Sequence, residues 1–296
     1  MVTKVKKIED MIPENKRLNA KLIIEKFENL LETYINKFDR EFPVKYENAR
    51  EIFLLFAYIA KNTYKAVRCL CIDVHPPHWL KPEYAVSTAP MLRMLLEELA
   101  TVVYFSDDVN VKCERYLKAG WREKKENYDK YFTEFGGMAE WNDWLDVMKK
   151  YLDDTKKSHK ISMEEEKDLT KIPTWRTIGK MSNDIALSSD LREYLKYLVA
   201  WFYKQYSQSA HLTEPGIVHL GAMFLYADPE DRQEVAKKLR SDSIMDCILI
   251  CLSILSEFEI IFQYEQKERL KYLWSILVKY YPKANELYQI RYSAIL

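Results

Sequence analysis

Glycine and proline are scarce in this sequence. Its 296 residues include 6 glycines and 10 prolines, whereas average usage would give about 20 glycines. A β-sandwich or β-barrel needs turn residues roughly every 8 to 12 positions, so the composition excludes an all-β fold. The chain is also 48% hydrophobic, which excludes a disordered protein.

An excess of charge of either sign is also missing. The 45 lysines and arginines balance 45 aspartates and glutamates, which argues against the broad basic surface of a general nucleic-acid binder, although a small basic patch remains compatible. The 5 cysteines are odd in number and mostly lie in apolar surroundings. They predict reduced thiols and a cytoplasmic location, without a disulfide framework.

Long uninterrupted hydrophobic runs do not occur. No apolar stretch follows the basic residues near the N-terminus, so no secretory signal is predicted. The most apolar run, Ile244 to Phe262, is interrupted by Asp246, Glu257 and Glu259. A bilayer span needs about 20 apolar residues, so this run predicts a buried helix and no membrane partner.

Apolar residues recur at three- and four-residue spacing along almost the whole chain. This periodicity predicts an all-α, multi-helix bundle without a sheet. The second helix is apolar over much of its circumference, which favours a central position. We predict helices at about 17–42, 46–73, 88–105, 110–135, 189–212, 217–226 and 244–262, with another starting at Asp228-Pro229.

No linker rich in glycine, serine or proline divides the chain, and no repeat is evident. We therefore predict one helical domain, residues 1–296, with a charged helical insertion at 110–172. Within that insertion, Ser162 and Glu165 have the spacing of a capping box.

The third predicted helix carries polar residues beside its buried stripe. Arg93, Glu97 and Tyr104 line up along one edge when each residue advances the helix by about 100°. Arg93 and Glu97 are four residues apart, so they can pair. An ordinary surface ion pair explains the same spacing.

The long helix after Ser189 has a second polar face. Tyr203, Ser207, Ala210 and His211 fall at i, i+4, i+7 and i+8, which places a phenol, a hydroxyl and an imidazole together. Serine and histidine one turn apart can transfer a proton, and a nearby arginine can bind a phosphate or carboxylate. Alternatively, Ser207 bonds back to its own helix and His211 is a helix-end residue.

These motifs resemble a known family. The order Arg93-x3-Glu97, Trp175 after a charged insertion, Tyr203, and Tyr206-Ser207-x3-His211 resembles an uncharacterised, mainly bacterial helical family, domain of unknown function 5677, over about residues 50–265. Such proteins look like distant relatives of the HEPN bundles. Many HEPN proteins serve in toxin and phage-defence systems as metal-independent ribonucleases or nucleotide-binding modules.

The sequence departs from the HEPN ribonuclease pattern. Those enzymes carry Arg-x4-6-His within one helix, but no arginine lies at that distance before His211 or His219. Arg93 and His211 would therefore have to meet across two helices. We predict that the third helix and the long helix after Ser189 pack side by side, with Arg93 and Glu97 within reach of Tyr203, Ser207 and His211.

A zinc site is a competing interpretation of a different cluster. Cysteine, aspartate and histidine occur close together, but Cys69 and Cys71 are about 200° apart on a continuous helix, and no second ligand pair lies nearby. We predict no metal and no cofactor. The cluster consists of Cys69, Cys71, Asp73, His75 and His78.

Two functions remain open. The first is a defence-type effector, a metal-independent nuclease or nucleotide hydrolase, that acts on a nucleotide or RNA phosphate. Its catalytic candidates are Arg93, Glu97, Ser207 and His211, and its substrate-binding candidates are Trp175, Tyr203, Tyr206 and Tyr104. The second is a non-catalytic binding or assembly module whose polar cluster is structural. In both cases we expect a homo-oligomer, such as a dimer, formed through the tyrosine-rich C-terminal end or the last helices.

Overall fold

A computed structural model describes residues 14–72, 86–210 and 228–296 of the chain. Every regular element in these ranges is helical, which confirms the predicted all-α fold. The α-helices are α1 (Glu14–Arg40), α2 (Arg50–Cys71), α3 (Thr88–Phe105), α4 (Val109–Phe135), α5 (Asn142–Ser158), α6 (Met163–Lys167), α7 (Ile178–Met181), α8 (Ser189–Leu198), α9 (Lys204–Ala210), α10 (Pro229–Phe262), α11 (Lys267–Tyr280) and α12 (Pro282–Leu287).

Short turns of other helical types connect or extend several helices. Val44–Ala49, Ala139–Trp141 and Leu169–Lys171 are 3-10 turns. Val199–Tyr203 and Tyr288–Tyr292 are π-helical. The predicted capping box is confirmed at the start of α6, where Ser162 and Glu165 each accept from the other's backbone N–H. The predicted short helix at 217–226 lies outside the described residues.

Helix α10 occupies the centre of the bundle. Every residue from 246 to 259 is buried, and α1, α2, α3 and α11 all contact this helix. The central position predicted for α2 is wrong, because α2 leaves Leu55 and Tyr58 exposed on its outer face. A helix apolar on all sides needs neighbours all round, and the buried stretch of α10 has them.

Helix α10 is also longer than expected. The sequence predicts one helix from Asp228-Pro229 and another over 244–262, but a single helix runs from Pro229 to Phe262. The expectation of a break is wrong because no glycine or proline follows Pro229 within this span, so nothing interrupts the helical hydrogen bonds. The helix ends at Gln263, which adopts a left-handed conformation at φ 56°.

Two acidic residues in the apolar half of α10, Glu257 and Glu259, are buried and have partners. Glu257 accepts two hydrogen bonds from Arg291, at 3.0 and 2.9 Å. Glu259 accepts from the hydroxyl of Tyr34 at 2.8 Å and from the backbone N–H of Gln266 at 3.1 Å. Buried charges are tolerated when they are paired, so these interactions tie α1 and the C-terminal segment to the central helix.

The charged segment between α3 and α7 forms a helical hairpin with a small core of its own. Helices α4 and α5 pack against each other, and the indole of Trp121 donates to the carbonyl of Leu152 at 3.1 Å. Trp121, Leu152, Ile161 and Ile172 form a buried cluster that is separate from the main core. We refer to residues 109–172 as the hairpin.

The tyrosine-rich C-terminal end contributes mostly to packing. Tyr264, Trp274 and Tyr292 are buried, whereas Tyr272 and Tyr280 are exposed. Little of this aromatic set is therefore available to a second chain. None of the described helices is both long enough and apolar enough to cross a bilayer.

Candidate functional site

Helix α3 packs beside the long helix formed by α8, the π turn and α9. Arg93 on α3 donates to the Tyr203 hydroxyl at 3.1 Å and to Glu97 Oε1, also at 3.1 Å. The guanidinium carbon lies 5.2 Å from the centre of the Tyr203 ring. The expected contact between the two polar faces is therefore present at Arg93, Glu97 and Tyr203, which we call the Arg93 cluster.

Tyr203 is positioned by the π turn at Val199–Tyr203. A π turn inserts one additional residue into a helical turn and changes the direction of the side chains that follow, and such turns are frequent at functional sites. The sequence analysis treated the helix as regular from Ser189 onward. It therefore anticipated the neighbours of Tyr203 but not this local geometry.

The Arg93 side chain is held charged at the edge of the bundle. Burial alone would lower the pKa of Arg93, but hydrogen bonding to Glu97 and the proximity of Tyr203 raise it overall. The Arg93 side chain is 23% exposed and that of Glu97 is 48% exposed. A fixed, partly accessible guanidinium of this kind can bind an anion arriving from solvent.

Ser207 and His211 complete the predicted polar face. Ser207 lies one turn after Tyr203 and is half-buried. His211 lies outside the described residues, as does His219. The structure thus brings together Arg93, Glu97 and Tyr203, with Ser207 next along the same helix.

Tyr104 does not join the Arg93 cluster. Its hydroxyl donates to Asp184 at 2.7 Å, and Arg176 pairs with the same carboxylate at 2.8 Å. Tyr104 shares an edge of α3 with Arg93, but 11 residues separate them, about 16 Å along the axis. The assignment of Tyr104 to the same pocket is therefore wrong. Periodicity predicts which face of a helix a residue occupies, but two residues on one face can still be far apart along the helix axis.

Trp175 belongs with Tyr104 rather than with Arg93. Its ring packs edge-on against Tyr104, Phe105 and Tyr116, with centroids 5.7, 5.7 and 4.9 Å away. Burial and, to a lesser extent, the hydrogen bond to Asp184 raise the pKa of Tyr104 to about 12. Tyr104 therefore remains protonated at neutral pH and serves as a donor to the carboxylate.

Tyr206 is also separate from the Arg93 cluster. It is buried and donates to Asp246 on α10, an acid that Tyr281 and Lys283 also contact. Burial and the Asp246 carboxylate raise the pKa of Tyr206 well above the ordinary tyrosine value. The predicted role of Tyr206 in the same pocket is wrong, because its side chain faces the bundle interior.

Glu98 is a group that the sequence analysis did not select. It is buried on α3, and neither carboxylate oxygen has a hydrogen-bond partner among the described residues. Burial raises its pKa well above the ordinary value. An acidic residue beside a buried leucine stripe was the only signal in the sequence.

A cavity of about 120 Å³ lies between the start of α4 and the residues that follow α5. Asn48, Asn110, Glu114 and His159 are among its lining residues. Burial lowers the pKa of His159, with a smaller effect from Lys124. None of the residues of the Arg93 cluster lines this cavity.

The predicted zinc cluster is only partly described. Cys69 and Cys71 lie on the last turn of α2, where Cys69 is exposed and Cys71 is buried. Asp73, His75 and His78 lie outside the described residues. Within the described part of the chain, no three potential ligands come close enough to hold a metal ion.

No protein-family model matches the sequence, and no curated protein or solved structure gives a significant match. The resemblance to domain of unknown function 5677 and to HEPN bundles therefore stays a prediction.

Proposed function

We propose that this protein is an effector of a bacterial defence or toxin-type system that acts on a nucleotide or RNA phosphate. Arg93 binds the phosphate, and Glu97 orients Arg93 or acts as a base. Ser207 and His211 form the polar pair that moves a proton, and Tyr203 forms a wall of the site. Neither a metal nor a cofactor is needed for this chemistry.

The contact between Arg93 and Tyr203 supports this proposal. It joins two helices distant in sequence and fixes a guanidinium where part of it remains accessible. Phosphate recognition favours arginine because its planar donors match two phosphate oxygens. The adjacent π turn and the half-buried Ser207 give the same face a hydroxyl one turn away.

A second candidate is a non-catalytic assembly module. It is favoured by the similarity of the Arg93 cluster to a plain structural contact elsewhere in the chain. In α4, Arg122 pairs with Glu126 and also donates to the carbonyl of Ile172. The side-chain exposures of that pair are 19% and 47%, close to the 23% and 48% of Arg93 and Glu97.

The Arg122 pair provides a matched control for the deciding experiment. Wild type, Arg93→Gln, His211→Ala and Arg122→Gln are each incubated with a nucleotide mixture and with RNA, and the products are measured by mass spectrometry. Both arginine variants remove an ion pair within a helix and a hydrogen bond to another segment. Thermal unfolding of all four proteins is measured in parallel.

The proposed activity requires product from wild type and from Arg122→Gln, with a loss of about 100-fold or more in Arg93→Gln and His211→Ala. The assembly module requires no product from any of the four and a lower midpoint of unfolding for Arg93→Gln. Equal product from wild type and His211→Ala contradicts the catalytic role of this histidine.

A further inference from the structure

The far end of the hairpin carries a partly exposed aromatic cluster. The rings of Phe135 and Trp141 stack with centroids 4.4 Å apart. Tyr131 and Trp144 meet edge to face at 5.2 Å, and Trp144 also contacts Trp141 at 6.0 Å. These residues lie beyond the buried hairpin core, so their outer faces meet solvent.

Further apolar side chains extend this surface. Phe132, Met138, Trp144 and Val147 are 56%, 45%, 39% and 67% exposed. Scattered exposed apolar residues are ordinary, but a contiguous exposed apolar patch marks an interaction site. We call residues 131–148 the hairpin tip.

Every charged residue within the hairpin tip is acidic, whereas Lys130, directly before it, lies 6.0 Å from the centre of the Tyr131 ring, and Lys149 and Lys150 directly follow it. Its 18 residues include four acids and no lysine, arginine or histidine. All four acids are exposed, and within the described part of the chain none makes an ion pair. The acids are Glu134, Glu140, Asp143 and Asp146.

The rest of the hairpin is organised differently. Several of its acids pair with neighbouring lysines, as in Lys118 with Glu165 at 2.9 Å and Lys160 with Glu114 at 2.7 Å. Exposed acids with no ion pair among the described residues also occur there, at Asp153 and Asp154. The tip differs because its four acids lie around partly exposed aromatic rings.

We propose that the hairpin tip docks a partner protein through a basic amphipathic segment, with apolar side chains on the aromatic rings and lysines or arginines against the four acids. Charge complementarity selects this occupant, since an exposed acidic rim attracts cations and orients their approach. Arginine and lysine also bind favourably over aromatic faces.

The same charge argues against other occupants. Nucleic acid and anionic membranes carry negative charge and are repelled by the tip. Two tips of identical chains would likewise repel each other, so self-association through this surface is disfavoured. This partner site is separate from the Arg93 cluster and does not depend on the function proposed for it.

The test uses the full-length protein and a labelled synthetic probe. The probe is a helical peptide of about 20 residues with lysines on one face and leucines on the other. A second peptide has glutamates in place of the lysines. Binding is followed by fluorescence anisotropy at low salt, where exposed charges are least screened.

Two variants with equal charge change separate the tip from total charge. The first neutralises the tip through Glu134→Gln, Glu140→Gln, Asp143→Asn and Asp146→Asn. The second neutralises four exposed acids elsewhere through Asp153→Asn, Asp154→Asn, Asp190→Asn and Glu193→Gln. Circular dichroism checks that both retain the wild-type helical spectrum.

We expect the lysine peptide to bind wild type, with Kd raised about tenfold or more by the tip variant and less than about twofold by the control variant. Val147→Ser and Trp144→Gln, which change only the apolar part, should also weaken binding. The glutamate peptide should not bind.

Equal weakening by both charge variants would overturn the proposal, because binding would then follow net charge. Absence of binding by wild type, or binding of the glutamate peptide, would also overturn it. Sedimentation of wild type and the tip variant tests the remaining occupant. If wild type sediments as a dimer and the tip variant as a monomer, the surface instead binds a second copy of the chain, and the proposal is wrong.

Discussion

At the residue scale, buried acids differ in whether they have a partner. Glu257 on α10 is held by Arg291 through two hydrogen bonds, whereas Glu98 on α3 has no partner among the described residues. A buried polar group without a partner costs about 1 to 3 kcal/mol. The two glutamates should therefore respond in opposite directions to the same substitution.

We predict that Glu98→Met stabilises the protein by about 1 kcal/mol or more at pH 7, because it replaces an unpartnered acid by an apolar side chain of similar length. Glu257→Met, the matched control, should lose about 3 to 5 kcal/mol by leaving Arg291 buried without its partner. Denaturant unfolding measures both. Destabilisation by Glu98→Met would contradict the assignment of Glu98 as unpartnered.

The pH dependence of stability provides a second test of Glu98. Its pKa is raised in the folded state, so at intermediate pH the folded protein binds a proton that the unfolded chain has released. The contribution of Glu98 to stability is therefore greatest below the ordinary carboxyl pKa, where Glu98 is protonated in both the folded and the unfolded state. This contribution is lost as pH rises through the raised pKa, because the buried side chain must then ionise. The advantage of Glu98→Met over wild type should therefore grow between pH 5 and pH 9.

At the element scale, the hairpin beyond the first turns of α4 has a core different from that of the body, since Val109 and Cys113 still belong to the main core. Leu152 belongs to the small cluster with Trp121 and Ile172, whereas Leu255 on α10 belongs to the main core. The clusters do not share buried residues. Local unfolding follows such divisions when few buried contacts cross between units.

We predict that Leu152→Ala destabilises the hairpin by about 2 to 5 kcal/mol while the body keeps its stability. Hydrogen exchange should become faster in peptides from residues 121–172 and remain slow in α10. Leu255→Ala, the matched control, should accelerate exchange in the body. Equal loss of protection in both regions after Leu152→Ala would show one cooperative unit.

At the scale of the whole molecule, the five cysteines differ in their exposure to solvent. Cys71, Cys113, Cys247 and Cys251 are buried, and Cys69 is exposed. Burial raises the pKa of Cys71 to about 11 and that of Cys113 to about 12. The Cys71 and Cys113 thiols are therefore protonated at neutral pH, whereas metal binding needs the thiolate.

We predict that the purified protein holds far less than one zinc per chain, because Cys69 and Cys71 point in different directions at the end of α2. Elemental analysis after dialysis without chelator measures the content. One zinc per chain that is lost on Cys69→Ser would contradict the prediction and assign a metal site to the cluster around Cys69.

Several local features follow directly from the sequence. The bounds of α3, 88–105, agree with the predicted bounds, because the chain there has a proline in the first turn and an uninterrupted apolar stripe. The capping box at Ser162 and the ion pair of Arg93 with Glu97 are also present. Each depends on residues within four positions of one another, so spacing alone is informative.

The partners of the other polar residues depend on the tertiary structure. Tyr104 bonds to Asp184 and Tyr206 to Asp246, although sequence analysis grouped both with Arg93. The acids that interrupt the apolar run were visible in the sequence, where they only argued against a bilayer span. Their partners, such as Arg291, lie on other elements and could not be read from spacing.

The sequence by itself determined the all-α class, because scarce turn residues and helical periodicity act locally along the chain. It also determined that Arg93 and Glu97 pair. Only the tertiary structure decided that α10 is the central helix, that Tyr203 reaches Arg93 from a π turn, and that Tyr104 and Tyr206 face other partners. Periodicity fixes the side of a helix that a residue occupies, whereas the level of the contact and the neighbour it meets depend on how all the helices pack together.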